Sequence, residues 1–194
     1  TQTFRISLDP KRVKAIFFWT RWPTPMIPHL GELTSLGHRF IFHVTLTGLP
    51  APLEPEHWSL KERISAIQAL ARIVGRERVW WRYDPIILGE QLSPSLHLST
   101  FSRLSAELAD STSRVTMSLV DWYRKTERRT SLVEAETGAL HRLDGSEERV
   151  VTLARALGEI AGAQGRRPPP PREPAPHRAR LPHRHLVAAL VEPR

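Results

Sequence analysis

The chain has 194 residues, of which 40% are hydrophobic and 25% are charged, and it contains no cysteine. This length suffices for one domain with an appendage, and the lack of thiols excludes disulfides, thiolate metal sites and cysteine nucleophiles within the chain. The net charge is +8, but seven arginines and two glutamates from residue 165 onward contribute +5 of it. The remaining +3 on the first 164 residues does not predict a nucleic-acid partner for the folded part.

The hydropathy pattern argues against a membrane protein. No segment approaches the roughly 18 unbroken apolar residues of a membrane-spanning helix, and the first residues lack the layout of a signal peptide. We therefore expect a cytoplasmic protein with no membrane partner. Because Thr1 comes directly before strand-like sequence, we also expect the chain to be a piece of a longer protein.

Four short apolar segments alternate with helical patterns. The strand patterns cover residues 15–20, 40–47, 79–84 and 115–120. The helical patterns cover residues 24–37, 60–74, 93–108 and 147–163. Thr24 is predicted to cap the first helix, and Ser59 with Glu62 forms a capping box for the second. Pro85 is predicted to end the third strand.

This alternation predicts an α/β fold with a parallel sheet and right-handed crossovers. The two candidates are a (β/α) barrel and an open doubly wound sheet. We favour the barrel, because polar residues recur at the carboxyl end of every strand, where barrel sites are built. Four units make a partial barrel, whose exposed sheet edges favour association. The predicted domain covers residues 1–165.

The most informative stretch is the third strand, in which Arg82 and Asp84 lie two residues apart and therefore share a face. They form either a structural ion pair or a binding site, in which Arg82 makes a forked contact to a carboxylate or phosphate. A small or anionic ligand is then expected at the strand ends. The predicted ligand-binding residues are Thr20, Arg21, Thr45, Thr47, Arg82, Asp84, Asp121 and Tyr123.

Other chemistries are possible at the same place. Asp84 and Asp121 follow successive strands, and a carboxylate pair is the arrangement used by many glycoside hydrolases. The catalytic candidates are thus Asp84, Asp121 and Arg82. Trp19 and Trp22 could add a flat apolar wall. No metal site is predicted, and His43 is expected to be a packed or rim residue rather than a ligand.

Two segments lack a helical or strand period. Residues 124–144 begin with a basic run and predict a long loop. Residues 166–194 are rich in proline, arginine and histidine and predict a disordered tail that packs no core. The tail is a linker, a polyproline ligand for a protein partner, or the product of an out-of-frame reading.

Six phrases in order resemble a known family. They are Phe18-Trp19-Thr20-Arg21-Trp22-Pro23-Thr24-Pro25-Met26, Val44-Thr45-Leu46-Thr47-Gly48, Leu53-Glu54-Pro55, Glu62-Arg63-Ile64, Trp81-Arg82-Tyr83-Asp84-Pro85-Ile86-Ile87 and Ser118-Leu119-Val120-Asp121-Trp122-Tyr123. Together they resemble the bacterial DUF1848 family, a domain of unknown function, over about residues 5–165.

The resemblance implies a barrel-like fold of uncharacterised activity. It also implies a C-terminal cysteine cluster for a 4Fe–4S centre like that of radical S-adenosylmethionine enzymes, with a more distant likeness to spore-photoproduct lyases. This chain departs from that pattern, because it has no cysteine and lacks the strand expected before Thr1. We therefore expect a fragment without the cluster and without the parent activity.

Overall fold

The computed structural model describes residues 8–50, 53–54, 57–120, 134–135, 138–141 and 147–166. Within them, four parallel strands form one sheet in the order β1-β2-β3-β4. The strands are β1 (Ile16–Thr20), β2 (Phe40–Thr45), β3 (Val79–Ile86) and β4 (Arg114–Leu119). The α-helices are α1 (Leu30–Ser35), α2 (Leu60–Val74), α3 (Pro94–Glu107) and α4 (Glu148–Ala163), and two 3-10 helices cover Thr24–His29 and Arg76–Arg78.

This order confirms the predicted α/β fold with parallel strands. Neighbours in the sheet are also neighbours in sequence, as in a (β/α) barrel. The reversal of strand order that defines a doubly wound sheet does not occur among the described strands. None of the described helices is long and apolar enough to cross a lipid bilayer.

The core lies between one side of the sheet and the helices. Alternate strand residues, such as Phe42, Val44 and Trp81, are fully buried and pack in one cluster with residues of all four α-helices. The other residues of each strand point away from the helices. We call this second surface the open side; its residues are Phe17, Trp19, Ile41, His43, Thr45, Trp80, Arg82, Asp84, Arg114, Thr116 and Ser118.

The helix caps follow the sequence signals closely in the second and third units. The side chain of Ser59 accepts a hydrogen bond from the Glu62 amide, and Gly75 follows the helix at φ 84°. Ser93 caps α3 in the same way. Both helices therefore begin where local chemistry satisfies the first unpaired amides.

Two local predictions are wrong. Thr24 is not an N-cap, because a 3-10 helix starts there with no side-chain cap and α1 begins only at Leu30. Pro28 lies inside this turn and has no amide hydrogen to donate. Pro85 does not end β3, which continues to Ile86 after a shift of register beyond Tyr83.

The described part of the chain ends on a buried residue. Arg166 is 3% exposed, donates hydrogen bonds to Thr112 and Ser105, and lies over the Trp81 ring. Burial, and secondarily the charge of Arg76, lowers the pKa of Arg166 to about 10. The packed region thus includes Arg166, which the composition assigns to the tail. The predicted disorder of residues 167–194 concerns residues outside the described ranges.

Candidate functional site

The polar residues of interest lie at the carboxyl edge of the sheet, where the four parallel strands end. Because the strands are parallel and paired in register, their carboxyl ends meet along one side of the molecule. The side chains there form two separate clusters. One is centred on Arg82 and the other on Glu54, a residue that sequence reasoning did not select.

The Arg82 cluster consists of Arg82, Asp84 and Ser118. Arg82 donates through Nη2 to one oxygen of Asp84, and the Ser118 hydroxyl donates to the other oxygen at 2.6 Å. The side chains of Arg82 and Asp84 are 29% and 20% exposed. The carboxylate is therefore held from two strands at once, and it fixes the direction of a guanidinium that still reaches solvent.

His43 lies beside this cluster on the open side, where it is surrounded by aromatic rings. Its ring centroid is 4.8 Å from that of Trp80 and 5.9 Å from that of Trp19. Burial, and then the charge of Arg82, lowers the pKa of His43 to about 4. The imidazole is thus neutral at neutral pH, as expected for a packed histidine without an acidic partner.

The Glu54 cluster consists of Arg21, Thr47, Glu54 and Arg63. Thr47 donates to Glu54 at 2.7 Å, Arg63 donates to it at 2.8 Å, and Arg21 completes the set. Burial raises the pKa of Glu54, but hydrogen bonds from Arg63 and Thr47 and the charges of both arginines more than offset this. The result is a pKa below the usual value and a carboxylate that remains ionised.

Arg21 and Thr47 were predicted to bind a ligand, and the structure brings both to Glu54. Glu54 and Arg63 are 4% and 8% exposed, so this cluster is largely closed. Sequence reasoning missed them, although one signal was present: Arg63 interrupts the apolar stripe of α2. A charge on a buried helix face indicates a buried counter-charge.

The remaining predicted residues lie in different surroundings. Thr45 is paired in register with Arg82 on the open side, and its carbonyl accepts a hydrogen bond from Arg63. The Thr20 hydroxyl lies on the helix-facing side and accepts a hydrogen bond from the Trp22 amide at 2.9 Å. Asp121 and Tyr123 lie outside the described residues. The predicted Asp84–Asp121 pair therefore stays a prediction.

The two tryptophans expected to form one wall lie in separate contacts. Trp22 stacks on Trp58 at 4.5 Å with the planes 7° apart. Trp19 projects from the open side and is 67% exposed. The apolar wall at this rim is therefore made by Trp22 and Trp58.

A buried pair beneath the Arg82 cluster was also missed. The Tyr83 hydroxyl and His97 Nδ1 are 2.9 Å apart, and His97 Nε2 lies 2.8 Å from the Ile87 carbonyl. Because a carbonyl can only accept, Nε2 carries the proton and Nδ1 accepts from Tyr83. Burial lowers the pKa of His97 and raises that of Tyr83, so both side chains are neutral and join β3 to α3.

The part of the chain that the structure describes offers no ligand set for a metal ion, and the sequence offers no thiolates for an iron–sulfur cluster. The described residues contain no group of three histidine, cysteine or acidic side chains that could hold a metal ion. The whole chain has no cysteine to supply thiolates to a cluster. The implied 4Fe–4S centre therefore has no ligand set of the expected kind in this chain.

Taken together, these elements define an α/β protein with an open parallel sheet, in which polar clusters lie at the carboxyl edge and the strand order matches that of a (β/α) barrel. The sequence profile described as "Domain of unknown function (DUF1848)" matches residues 1–167. The chain thus belongs to the DUF1848 family, as its six phrases indicate. No curated protein matches it significantly.

Proposed function

We propose that this chain binds a small anionic ligand at the carboxyl edge of its sheet, with Arg82 as the anchor. The observation that carries the proposal is the Arg82 cluster itself, in which Asp84 and Ser118 orient a partly exposed guanidinium. Asp84 engages Nη2, so the guanidinium retains further N–H donors for a carboxylate or phosphate.

Neighbouring groups support an anion rather than a cation. The one carboxylate of the Arg82 cluster, Asp84, is already satisfied by two donors, so it offers no free acceptor oxygens for a cation. Thr45 and Thr116 flank Arg82 in the two adjacent strands. Such short hydroxyls can donate to the same oxygen atoms that the arginine binds.

The binding test uses inorganic phosphate as the probe and measures its affinity by isothermal titration calorimetry. Arg82→Gln should abolish phosphate binding, and Arg82→Lys should weaken it at least tenfold, because lysine lacks the planar fork. Arg72→Gln, at the end of α2, is the matched control and should bind like the native chain. Unchanged phosphate affinity in Arg82→Gln would leave the pair with a structural role only.

A barrel hydrolase using Asp84 and Asp121 is the second candidate. The contacts of Asp84 favour an orienting role over proton transfer, since both of its oxygens accept hydrogen bonds from protein groups. Asp84→Asn in a longer homologue tests the two roles. A loss of turnover with retained ligand affinity would support the hydrolase, whereas a loss of affinity supports the anion site.

The cellular location and the activity of the parent proteins belong to the same proposal. We take the parent proteins to be cytoplasmic iron–sulfur enzymes of the radical S-adenosylmethionine type, and this chain, which contains no cluster cysteines, to be inactive. Binding at the Arg82 cluster needs neither. A role of the Pro/Arg-rich tail in recruiting a protein partner is tested by deleting residues 167–194 and measuring whether that partner is lost.

A further inference from the structure

Two tryptophans form a stacked pair at the carboxyl edge of the sheet. The ring centroids of Trp22 and Trp58 lie 4.5 Å apart, with the ring planes 7° apart. Trp58 is 38% exposed, and the imidazole of His57 meets it at 68° rather than face to face. Because each indole covers one face of the other, a further flat ring would extend the stack on the solvent side of Trp58.

Local hydrogen bonds hold both tryptophans in place before any ligand arrives. The Trp22 amide donates to the Thr20 hydroxyl at the end of β1. Trp58 directly precedes Ser59, whose amide and hydroxyl both donate to Glu62 in the capping box of α2. A ring that packs on this pair therefore orders little of the protein, so less of the stacking free energy is lost to entropy.

The Glu54 cluster connects the stacked pair to the Arg82 cluster. At one end, Arg21 of the Glu54 cluster directly precedes Trp22. At the other end, Arg63 of the same cluster donates to the carbonyl of Thr45, which is paired in register with Arg82. Strands β1 and β3 lie on the two sides of β2, about 10 Å apart. A ligand of the length of a nucleotide can therefore reach from Arg82 to the stacked indoles.

The polar groups beside the stacked pair favour an aromatic ring over a sugar. A sugar that packs on tryptophan also needs partners for its hydroxyl groups. Both carboxylate oxygens of Glu54 are already occupied, one by Arg21 and Arg63 and the other by Thr47. The outer face of Trp58 instead offers a π surface, on which any heteroaromatic base can stack.

We propose that the anionic ligand of the Arg82 cluster is an organic phosphate that carries a planar heteroaromatic ring, as a nucleoside monophosphate does. Arg82 binds the phosphate, and the ring stacks on Trp58. This inference rests on the proposed anion site and names the class of its ligand.

The test compares AMP, ribose 5-phosphate and inorganic phosphate on the full chain by isothermal titration calorimetry. We expect AMP to bind at least tenfold more tightly than ribose 5-phosphate, because only AMP has a base to stack. Trp58→Leu should lower the affinity for AMP to that for ribose 5-phosphate, and Trp58→Phe should retain part of the preference. Trp19→Leu, at another exposed tryptophan, is the matched control and should keep the full preference.

The outcomes separate this inference from the anion site. Equal affinities for AMP and ribose 5-phosphate in the native chain, or a preference that survives Trp58→Leu, would overturn the ring-bearing ligand while phosphate binding still supports the Arg82 cluster. Arg82→Gln should lose all three probes, and AMP binding that survives this change would contradict a shared site. A native chain that binds no phosphate refutes both proposals.

Tryptophan fluorescence gives a second measurement of the contact between ring and indole. A base stacked on Trp58 should quench part of the emission of the six tryptophans, whereas ribose 5-phosphate should not. The quenching by AMP should vanish in Trp58→Leu and persist in Trp19→Leu. Equal quenching in these two variants contradicts the stack.

Discussion

The two polar clusters at the carboxyl edge have similar composition but different surroundings. The Glu54 cluster has a nearly inaccessible carboxylate and a buried arginine, and its members bind one another. The Arg82 cluster has a carboxylate held by a neighbouring strand and an arginine that reaches solvent. The clusters differ in how fully each carboxylate is occupied: Glu54 accepts from two arginines and Thr47, whereas Asp84 accepts from one arginine and Ser118.

Removing Glu54 should have the largest effect. Glu54→Ala leaves Arg63 buried beside Thr47 without its counter-charge, which costs about 3–5 kcal/mol of unfolding free energy. Urea denaturation measures this, with Glu77→Gln, at a 71% exposed side chain, as a control expected to be nearly neutral. A cost for Glu54→Ala below about 1 kcal/mol, the range of surface pairs, would remove the contrast between the two clusters.

Breaking the buried Tyr83–His97 hydrogen bond should have the second-largest effect on stability. Tyr83→Phe keeps the packing of the ring but leaves Nδ1 of His97 without its donor, at a cost of about 1–3 kcal/mol. Ser99→Ala, which removes a hydroxyl from an exposed helix position, should change stability by less than about 0.5 kcal/mol. Equal effects in the two variants would mean that the Tyr83–His97 bond contributes nothing.

Acid should destabilise the fold through its neutral histidines. His43 and His97 have folded-state pKa values below the ordinary 6.5, so the unfolded chain binds protons more readily than the folded chain. Their contribution is complete above pH 6.5 and is lost as the pH falls toward the value of about 4 for His43, by linkage. Urea midpoints at pH 7.5 and pH 5 measure the loss. His43→Gln should reduce it, and an unchanged pH dependence in that variant would refute the assignment.

The smallest effects on stability are expected at Arg21 and Arg82, the two cluster arginines whose side chains reach solvent. Arg21 has a side chain that is 52% exposed, and Arg82 is anchored at an open edge. Arg21→Gln and Arg82→Gln should each cost less than about 1 kcal/mol, as surface ion pairs do. The same calorimetric titration with phosphate distinguishes the roles of the two arginines, because only Arg82→Gln should lose phosphate binding. If Arg21→Gln loses binding as well, the anion site extends to the Glu54 cluster.

Much of the fold was predictable, because its signals are local. The capping box at Ser59 and Glu62, the cap at Ser93 and the apolar stripes of α2 and α3 depend on residues within one or two turns of each other. The parallel direction of the strands followed from their alternation with helices, and their order matches the barrel that the polar strand ends favoured. The cap and the α-helical start of the first helix were predicted wrongly, since Pro28 and Gly31 weaken the local preference and tertiary packing decides the outcome.

The candidate site was predictable only in part. Arg82 and Asp84 are two residues apart on one strand, so their shared face follows from strand geometry. The Glu54 cluster joins residues that are 33 and 9 positions apart, and the Ser118 contact to Asp84 spans 34. Such partners are fixed by the path of the chain and leave no periodic signal.

The sequence by itself determined the parallel α/β arrangement, the two best-capped helices, the family and the shared face of Arg82 and Asp84. Each of these depends on short-range periodicity, on capping chemistry or on short sequence motifs. Only the tertiary structure decided which charged residues are closed in and which face solvent, and that one side of the sheet carries exposed rings. Burial is a property of packed elements, because a side chain loses contact with water only when distant parts of the chain meet around it.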